Sequence, residues 1–315
     1  MINKIYISGL GAIGSAYAAK LYEMDPQCIK IIASRERIES YQKEGVRVNE
    51  KLYSFEYVIP AVVGTQTKVP DVQKADLIIV AVKYHHLQQA IKDISGFVGE
   101  NTIILSLLNG ITSEEIIGQE FGMDKLLYSF VVGTDAVRTG RNTVYENIGR
   151  IVFGEKNNKE YSHKVKLIKE LFDAAKIPYE IPENMMKELW WKFMMNVGIN
   201  QVSAVLNAPY GVFRDIREAR ELLEEASREV TRISCKVGID LNEDDIKKSS
   251  AIVDSISPEG KTSMLQDVEA GRKTEVEMFA GTVVEMGKKY GIPTPVNEVL
   301  LKMIRVLEQK NKLHH

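Results

Sequence analysis

The spacing of apolar residues changes once along this 315-residue chain, near residue 182. Before that point short apolar runs alternate with amphipathic stretches, a pattern typical of buried strands joined by helices. We predict strands at 4–8, 28–33, 76–82, 102–108, 126–132, 150–154 and 178–181, a hairpin of alternating strands within 45–59, and helices at 15–24 and 164–175. This order predicts an α/β domain over 1–182.

Beyond residue 182 the strand-like alternation disappears and apolar residues recur at helical spacing. The candidate helices cover 184–206, 211–237, 242–254, 262–290 and 294–312. They are separated by residue types that end helices, namely Pro209, Gly238, Pro258 and Gly291. The sequence therefore predicts an all-α domain over 183–315, attached to the α/β domain.

A glycine-rich turn follows the first predicted strand and precedes the first predicted helix. Gly9, Gly11 and Gly14 have the Gly-x-Gly-x-x-Gly spacing of Rossmann-type dinucleotide-binding domains. The first glycine suits a tight turn, the second the close approach of a pyrophosphate, and the third close packing of helix on strand. Free N–H groups at the start of the helix would bind phosphate. The cofactor contacts expected here are Gly9, Leu10, Gly11, Ala12, Ile13 and Gly14.

The end of the second strand bears on which dinucleotide is bound. NAD-preferring sites usually place Asp or Glu there, where it bonds the ribose 2′-hydroxyl. This chain has Arg35 after Ser34, and a guanidinium suits a 2′-phosphate through charge-assisted bonds. We therefore predict NADPH as the cofactor. The alternative is that Arg35 is a solvated loop residue and that Glu36 takes the hydroxyl.

Two polar residues follow later strands at their carboxyl ends. Lys83 comes after the strand at 76–82, and Asn109 after the strand at 102–108. Ligands of open α/β sheets lie outside these ends, so both side chains are placed to touch cofactor or substrate. Each alone could be a loop residue satisfied by water, but two such ends beside one glycine turn favour a shared site.

Three polar residues share one face of the predicted helix at 184–206. Lys192, Asn196 and Asn200 are spaced i, i+4, i+8, while apolar residues cover the rest of the surface. Burying an ammonium and two amides without partners costs a few kcal/mol each, so a bound polar ligand would be a natural partner. The alternative is a lysine near the surface and two asparagines bonded to neighbouring loops.

The bulk composition limits the partners. Lys plus Arg number 41 and Asp plus Glu 43, so nothing in the net charge points to nucleic acid or to an anionic membrane. The longest apolar run, at 77–82, is far shorter than the roughly 20 residues of a membrane span, and no signal peptide precedes the first strand. Cys28 and Cys235 lack metal-site spacing, and we interpret them as free buried thiols of a cytoplasmic protein without a metal.

Several blocks of the chain resemble the ketopantoate reductase (2-dehydropantoate 2-reductase) family, and together they span nearly the whole sequence. Besides the glycine turn they are Asn109-Gly110, Trp191-Lys-x-x-x-Asn-x-x-x-Asn200, Ser263-Met-Leu-Gln-Asp267 with Gly271-Arg and Thr274-Glu275, and Gly291-Ile-Pro-Thr-Pro-Val-Asn297. The resemblance implies a dinucleotide domain, a helical domain and an active site in the cleft between them. It also implies NADPH-dependent reduction of 2-dehydropantoate to (R)-pantoate, on the route to pantothenate and coenzyme A.

The matching positions imply roles for individual residues. Lys192 matches the catalytic lysine of the family, and Glu275 an acidic residue of the site that positions cofactor and substrate. The positions that match substrate contacts are Asn109, Asn196, Asn200, Ser263 and Tyr210, and those that match cofactor contacts are Arg35, Lys83, Asn109, Ala136 and Glu275. Tyr210 departs from the Asn of some members. Because a phenol donates one bond where an amide donates a pair, this departure leaves the identity of the 2-oxo acid open.

The resemblance implies hydride transfer to the ketone carbon of a small 2-oxo acid, with the Lys192 ammonium stabilising the oxyanion and giving it a proton. One alternative is an NADPH-dependent reductase of another small 2-oxo acid. A second alternative, from a different class, is a non-catalytic NADP-sensing protein, which would leave the face with Lys192 unexplained. We also expect a homodimer, formed through the helical half.

Overall fold

The computed structural model describes residues 1–60 and 73–313, with side chains described as far as residue 310. The chain divides into two compact units, unit 1 over Met1–Met185 and unit 2 over Met186–His315. Unit 1 contains all the described strands and unit 2 is helical. The predicted fold class, a Rossmann-type α/β domain followed by an all-α domain, is confirmed.

Unit 1 is built from strands joined by short helices. Its strands are β1 (Ile5–Ser8), β2 (Ile29–Ile32), β3 (Val46–Val48), β4 (Lys51–Tyr53), β5 (Glu56–Val58), β6 (Leu77–Val80), β7 (Ile103–Ser106), β8 (Leu126–Val132), β9 (Val137–Thr139), β10 (Asn142–Val144), β11 (Arg150–Gly154) and β12 (Tyr179–Glu180). Its helices are α1 (Ala12–Met24), α2 (Arg35–Glu44), α3 (Leu87–Ile94), α4 (Ser113–Phe121) and α5 (His163–Ala174).

The main sheet has the order β12-β11-β8-β7-β6-β1-β2-β5. Its strands from β5 to β8 run parallel, and β11 pairs antiparallel with β8. β2 and β5 lie on one side of β1. The chain then crosses to the other side of β1, where β6, β7 and β8 follow in order. This reversal of strand order beside β1 is a topological switch point, where open α/β sheets bind their ligands.

Both faces of the central strands are buried. Ile5 and Ile7 of β1 pack on one side in a core with α1 and α5, while Tyr6 lies on the other side with β6 and α3. Burial of every residue in β1, β6 and β7 explains why their sequences are continuous apolar runs without alternation.

A smaller sheet of order β4-β3-β10-β9 lies in the same unit. β3 and β4 form the predicted hairpin, turning at Asn49 and Glu50, which both have positive φ. The expectation that the whole of 45–59 is one hairpin is wrong, because β5 leaves it and pairs with β2 in the main sheet.

Unit 2 consists of helices with short connections. They are α6 (Met185–Leu206, which begins at the last residue of unit 1), α7 (Tyr210–Asp215), α8 (Arg217–Lys236), α9 (Glu243–Ser255), α10 (Ser263–Glu269), α11 (Thr282–Tyr290) and α12 (Pro295–Leu313), with a π-helical segment at Glu277–Gly281 before α11. Among the described residues, every helix is too short or too polar to cross a membrane.

Two predicted helices are interrupted. The helix expected at 211–237 breaks at Ile216, whose backbone is extended, and the Arg220 guanidinium donates to the carbonyl of Phe213 at the end of α7. The helix expected at 262–290 stops after α10 because Gly271 adopts a left-handed conformation, with φ of 61°. The thiols are free, but the expected burial is wrong for Cys235, which is exposed; Cys28 is buried.

Candidate active site

The glycine turn of unit 1 is shaped by close backbone contacts. Gly9 has φ of 102°, and a Cβ there would lie 2.5 Å from the carbonyl oxygen of Ala81. A Cβ on Gly14 would lie 2.0 Å from the carbonyl oxygen of Gly9. At Gly11, among the residues that the structure describes, the only neighbour within 4 Å would be the oxygen of Ala81, at 3.9 Å, so the backbone there borders open space. The first and third glycines pack the turn, and the second leaves room for a ligand.

The amino end of α1 is open to an anion. Gly11 precedes the helix, and no described side chain caps its first N–H groups. Uncapped N–H groups and the helix dipole bind phosphate. Leu10 is buried, whereas Ala12 and Ile13 are partly exposed in the first turn. A dinucleotide pyrophosphate fits this geometry, because the space it would occupy is the space that a Cβ on Gly11 would fill.

The carboxyl ends of four strands are level at the same edge of the sheet. Ser8 pairs in register with Ile32 on one side and with Val80 on the other, and Val80 pairs with Ser106. Lys83 and Asn109 each lie three residues beyond such an end, and both are partly buried. The register brings these two loops to the edge that holds the glycine turn. Ala136 lies in a different element, immediately before β9, where its N–H donates to Thr134 Oγ1 at 3.2 Å.

Arg35 begins α2, three residues after the last residue of β2, and its side chain is exposed. The neighbouring Glu36 is engaged locally, because hydrogen bonds from its own backbone N–H and from the Ser34 hydroxyl lower the pKa of its carboxyl. A carboxylate turned to its own helix terminus is poorly placed to take a ribose hydroxyl, which favours the guanidinium as the group that faces the cofactor.

Arg138 in β9 contacts the glycine turn, a relationship that the sequence reasoning missed. Its Nη1 donates to the carbonyl of Leu10 and, over 2.6 Å, to the Oγ of Ser15. Burial lowers the pKa of the guanidinium, and the charge of Arg141 lowers it further. The only sequence signal is an arginine in a strand rich in polar residues, and it carries no information on a partner so distant along the chain.

In unit 2 the predicted polar face of α6 is present. Asn196 and Asn200 are 5% and 6% exposed. Lys192 lies about one turn before Asn196 and is partly buried. Phe193, on the adjoining face, is buried. Burial lowers the pKa of the Lys192 ammonium to about 8.

Two of these polar groups have no partner among the described residues. Within residues 1–60 and 73–313, no hydrogen bond or ion pair is formed by the Lys192 ammonium or by the Asn200 carboxamide. Asn200 is buried and Lys192 partly buried, so a ligand that bonded both would satisfy polar groups shielded from much of the bulk water. Their shared direction along α6 suits a polar or anionic ligand that would satisfy both.

Other predicted residues are held near the carboxyl end of α6. Thr262, which precedes Ser263, donates to the hydroxyl of Ser203 at 3.1 Å. Tyr210 donates its backbone N–H to the carbonyl of Gly260 at 3.0 Å in the same connection. Ser263 itself is exposed, while burial raises the pKa of the Tyr210 phenol. These bonds place the residue beside Ser263 against Ser203, in the carboxyl-terminal half of α6, and join the Tyr210 backbone to the connection that precedes Ser263.

Glu275 is partly buried and lies just before the π-helical segment. Its carbonyl accepts from Met278 N–H at 3.0 Å. Phe279 of this segment stacks on Phe193, with ring centroids 6.4 Å apart. The segment that follows Glu275 is thus packed on the same helix as Lys192.

Comparison with known protein families gives matches in both units. Residues 5–158 match the model described as ketopantoate reductase PanE/ApbA, and residues 184–308 match the model for the C-terminal part of the same family. The chain is 30% identical over 319 residues to a 2-dehydropantoate 2-reductase of Aquifex aeolicus (strain VF5), covering 99% of each chain.

Solved structures share the whole fold at lower identity. A ternary structure of D-mandelate dehydrogenase with NADH and anilino(oxo)acetate has a TM-score of 0.85 and 22% identity, covering 98% of this chain and 99% of the other. A dimeric ketopantoate reductase from Staphylococcus aureus has a TM-score of 0.79 and 18% identity, with the same coverage of both chains. The family models and the full-length relative agree, and the chain belongs to the ketopantoate reductase family of oxidoreductases, which have an NAD(P)-binding fold.

Proposed function

We propose that the protein reduces 2-dehydropantoate to (R)-pantoate with NADPH. The observation that carries the proposal is the Lys192 ammonium, which is partly buried on α6 and has no counter-charge among the described residues. It shares a helix face with the Asn200 amide, which likewise has no partner in that part of the chain. A 2-oxo acid supplies a carboxylate and a carbonyl oxygen, which are the acceptors these two donors lack. The name of the full-length relative from Aquifex aeolicus supports the choice of this substrate.

The cofactor assignment rests on unit 1. The glycine turn and the uncapped start of α1 would hold the pyrophosphate, with Lys83 and Asn109 at the adjoining strand ends. Bound NADPH supplies a hydride to the ketone carbon of the substrate. Arg35 would hold the 2′-phosphate, and Ala136 is a further proposed contact. The position of Glu36 supports NADPH over NADH, because its carboxyl is engaged with its own backbone N–H and with Ser34.

Lys192 is the proposed acid. With a pKa of about 8 it is largely an ammonium at neutral pH, and it can release its proton more readily than an ordinary lysine. As negative charge develops on the carbonyl oxygen, the ammonium stabilises it and then protonates it. Preorganised electrostatic help of this kind commonly contributes a few kcal/mol to the barrier reduction.

The other polar residues of unit 2 orient the substrate. Asn196, Asn200 and Ser263 are proposed to bond its carboxylate and hydroxyl, so that the ketone carbon faces the hydride. Tyr210 contributes a phenol near the end of the same helix. Its size and its single O–H donor are proposed to limit which side chain the 2-oxo acid can have. Glu275 is proposed to position the cofactor and the substrate hydroxyl.

A second candidate function is reduction of a different small 2-oxo acid. The specific observation that favours it is Tyr210, whose phenol stands where some family members have Asn. The D-mandelate dehydrogenase with the same fold was solved with NADH and anilino(oxo)acetate, so this architecture also occurs with other ligands. Steady-state reduction of 2-dehydropantoate, pyruvate, 2-oxoisovalerate and phenylglyoxylate, each with NADPH and NADH, separates the two candidates.

The central test is the Lys192→Ala variant. We expect turnover of 2-dehydropantoate to fall by about 10²-fold or more while NADPH still binds, because the lost group acts on the reacting oxygen. Near-normal turnover in this variant would show that Lys192 is not the acid. Tight NADPH binding by the wild type with no oxidation of NADPH by any 2-oxo acid would instead support a non-catalytic NADP-sensing protein.

The choice of NADPH is tested by two neighbouring arginines. Arg35→Ala should lower the preference for NADPH over NADH, measured as a ratio of kcat/KM values, by about tenfold or more. Arg37→Ala removes an exposed guanidinium two residues later on the same helix and should leave the ratio unchanged. Equal ratios in wild type and Arg35→Ala would mean that another residue selects the cofactor.

The proposal includes a homodimer. Its support is the dimeric ketopantoate reductase of Staphylococcus aureus, whose fold this chain shares. Light scattering of the purified chain across a concentration series tests it, and a constant monomer mass at micromolar concentration would reject it.

A further inference from the structure

The Arg138 side chain joins the two flanks of the glycine turn. Its Nη1 donates to the carbonyl of Leu10, just before Gly11, and over 2.6 Å to the hydroxyl of Ser15, just after Gly14. Its Nε donates over 3.0 Å to the carbonyl of Gly140 in its own hairpin. One side chain from β9 therefore spans the segment that begins α1.

The bonds at this position are formed away from bulk water. Ser15 is fully buried and Leu10 is nearly so. Burial lowers the pKa of the Arg138 guanidinium, but a guanidinium remains protonated at every pH at which a protein is folded. Charge-assisted bonds with buried acceptors are stronger than neutral ones, so the contact holds the backbone firmly.

Close backbone contacts pack the turn at Gly9 and Gly14, but its glycines add little stiffness of their own. Glycines restrict the backbone least, and all three lie within four residues of Leu10, whose carbonyl accepts from Arg138. A flexible turn must be ordered when it receives a ligand, and that ordering weakens the measured affinity. A side chain that holds the turn beforehand avoids this cost.

We propose that Arg138 is a positioning residue of the cofactor site, which fixes the glycine turn in the geometry that accepts the dinucleotide pyrophosphate. The inference rests on the proposed function only for the identity of the cofactor. Arg138 acts through the Leu10 carbonyl and the Ser15 hydroxyl and does not itself take part in hydride transfer. Its cation also lies beside the start of α1, where positive potential favours phosphate.

The matched control is Arg141, in the same β9–β10 hairpin. Its guanidinium lies over the Tyr41 ring, 4.6 Å from the ring centroid, and bonds Ser40 and Glu44 of α2. It therefore anchors the hairpin without contacting the glycine turn. A purely structural role of the hairpin predicts similar effects for the two arginines, whereas positioning of the turn predicts an effect for Arg138 alone.

The experiment measures the Kd of NADPH for the full-length chain by fluorescence titration, together with steady-state kinetics. Arg138→Ala should raise the Kd by about tenfold or more, with kcat at saturating NADPH within about twofold of wild type. Arg138→Lys should give an intermediate Kd, and Arg141→Ala a Kd within about twofold of wild type. An unchanged Kd in Arg138→Ala, or an equal rise in Arg141→Ala, would overturn the inference.

Ser15→Ala keeps the experiment decisive if Arg138→Ala does not fold. It removes one acceptor of the Arg138 guanidinium and should raise the Kd of NADPH by a smaller factor, about threefold. In the Arg138→Lys background it should raise the Kd little further, because both substitutions act on the same contact. No change in Kd for Ser15→Ala and Arg138→Lys alike would overturn the inference. Binding is measured without substrate, so a wild type that binds NADPH but reduces no 2-oxo acid contradicts the proposed function and leaves this inference standing.

Discussion

Gln201 on α6 accepts a hydrogen bond of 3.0 Å from the backbone N–H of Ala280 in the π-helical segment. Its amide nitrogen donates to Asn297 Oδ1 at 3.0 Å, and Asn297 in turn donates to the Glu229 carboxylate at 2.7 Å. All three side chains are buried. The helix that carries Lys192 and the segment that follows Glu275 are therefore joined by a buried polar network.

Replacing Gln201 with Leu should destabilise the protein by about 2–4 kcal/mol. The backbone N–H of Ala280 and the side-chain Oδ1 of Asn297 would both stay buried and lose the bond that Gln201 provides. Urea unfolding measures the change in free energy. Gln88→Leu, at an exposed position on α3, is the control and should change the free energy of unfolding by less than about 0.5 kcal/mol. Equal effects at the two positions would contradict this account.

Substitutions at two glycines of the turn should separate folding from cofactor binding. Gly14→Ala places a methyl group 2.0 Å from the Gly9 oxygen, so it should lower the free energy of unfolding by a few kcal/mol. The methyl group of Gly11→Ala meets no atom of the described residues closer than the Ala81 oxygen, at 3.9 Å. This variant should fold normally, yet raise the Kd of NADPH by about tenfold or more. A Gly11→Ala variant that binds NADPH like wild type would exclude this part of the turn as the pyrophosphate site.

The pH dependence of reduction should follow Lys192. Burial lowers its pKa to about 8, so the ammonium is present below that pH and is lost above it. We expect kcat for reduction to fall about tenfold per pH unit above pH 8 when proton transfer limits turnover. Lys192→Arg keeps its charge throughout, so its lower kcat should show no such decline. A wild-type profile that stays flat from pH 7 to 10 would conflict with the assignment.

Glu114 should make the stability of the protein depend on pH. This carboxyl is buried, accepts from the Ser113 hydroxyl at 2.9 Å and from Ser129 N–H at 3.3 Å, and burial raises its pKa from 4.5 to about 7. Because the folded state keeps the proton more tightly, the contribution of this group is present below pH 4.5 and is lost as the pH rises through 7.

Glu114→Gln should remove this dependence. The wild type should lose roughly 2 kcal/mol of stability relative to the variant between pH 5 and pH 8, as measured by denaturant unfolding at each pH. Glu115→Gln, at the exposed neighbouring position, serves as the control and should follow the wild-type curve. If Glu114→Gln also follows that curve, the carboxyl does not titrate in this range.

The features that the sequence predicted best depend on local periodicity. Helical spacing alone places Lys192, Asn196 and Asn200 on one face, and strand–turn–helix order alone identifies the glycine turn. These signals need no knowledge of distant parts of the chain. For the same reason the fold class and the carboxyl-end loops with Lys83 and Asn109 could be predicted before the structure was known.

The missed features depend on contacts between distant residues. Gly271 ends α10 inside a run that reads as helical, and the following Thr274 is held by Glu308 of α12, to which its N–H donates at 2.8 Å. Arg138 lies 128 residues from Leu10, so spacing along the chain gives no sign of their bond. The exposure of Cys235 likewise depends on packing that hydropathy alone does not specify.

The smaller sheet has a consequence for the order of folding. β10 pairs with β3, and the adjoining Tyr145 N–H donates to Asn49 across 96 residues of chain, so closing this sheet costs much loop entropy. We expect the β9–β10 hairpin to dock late, after the central parallel strands have assembled. Pulse-labelling hydrogen exchange would then show protection of the Thr143 amide arising after protection of the Ile7 amide. During synthesis, the glycine turn would reach its final geometry only after residues well beyond the first helix had been made.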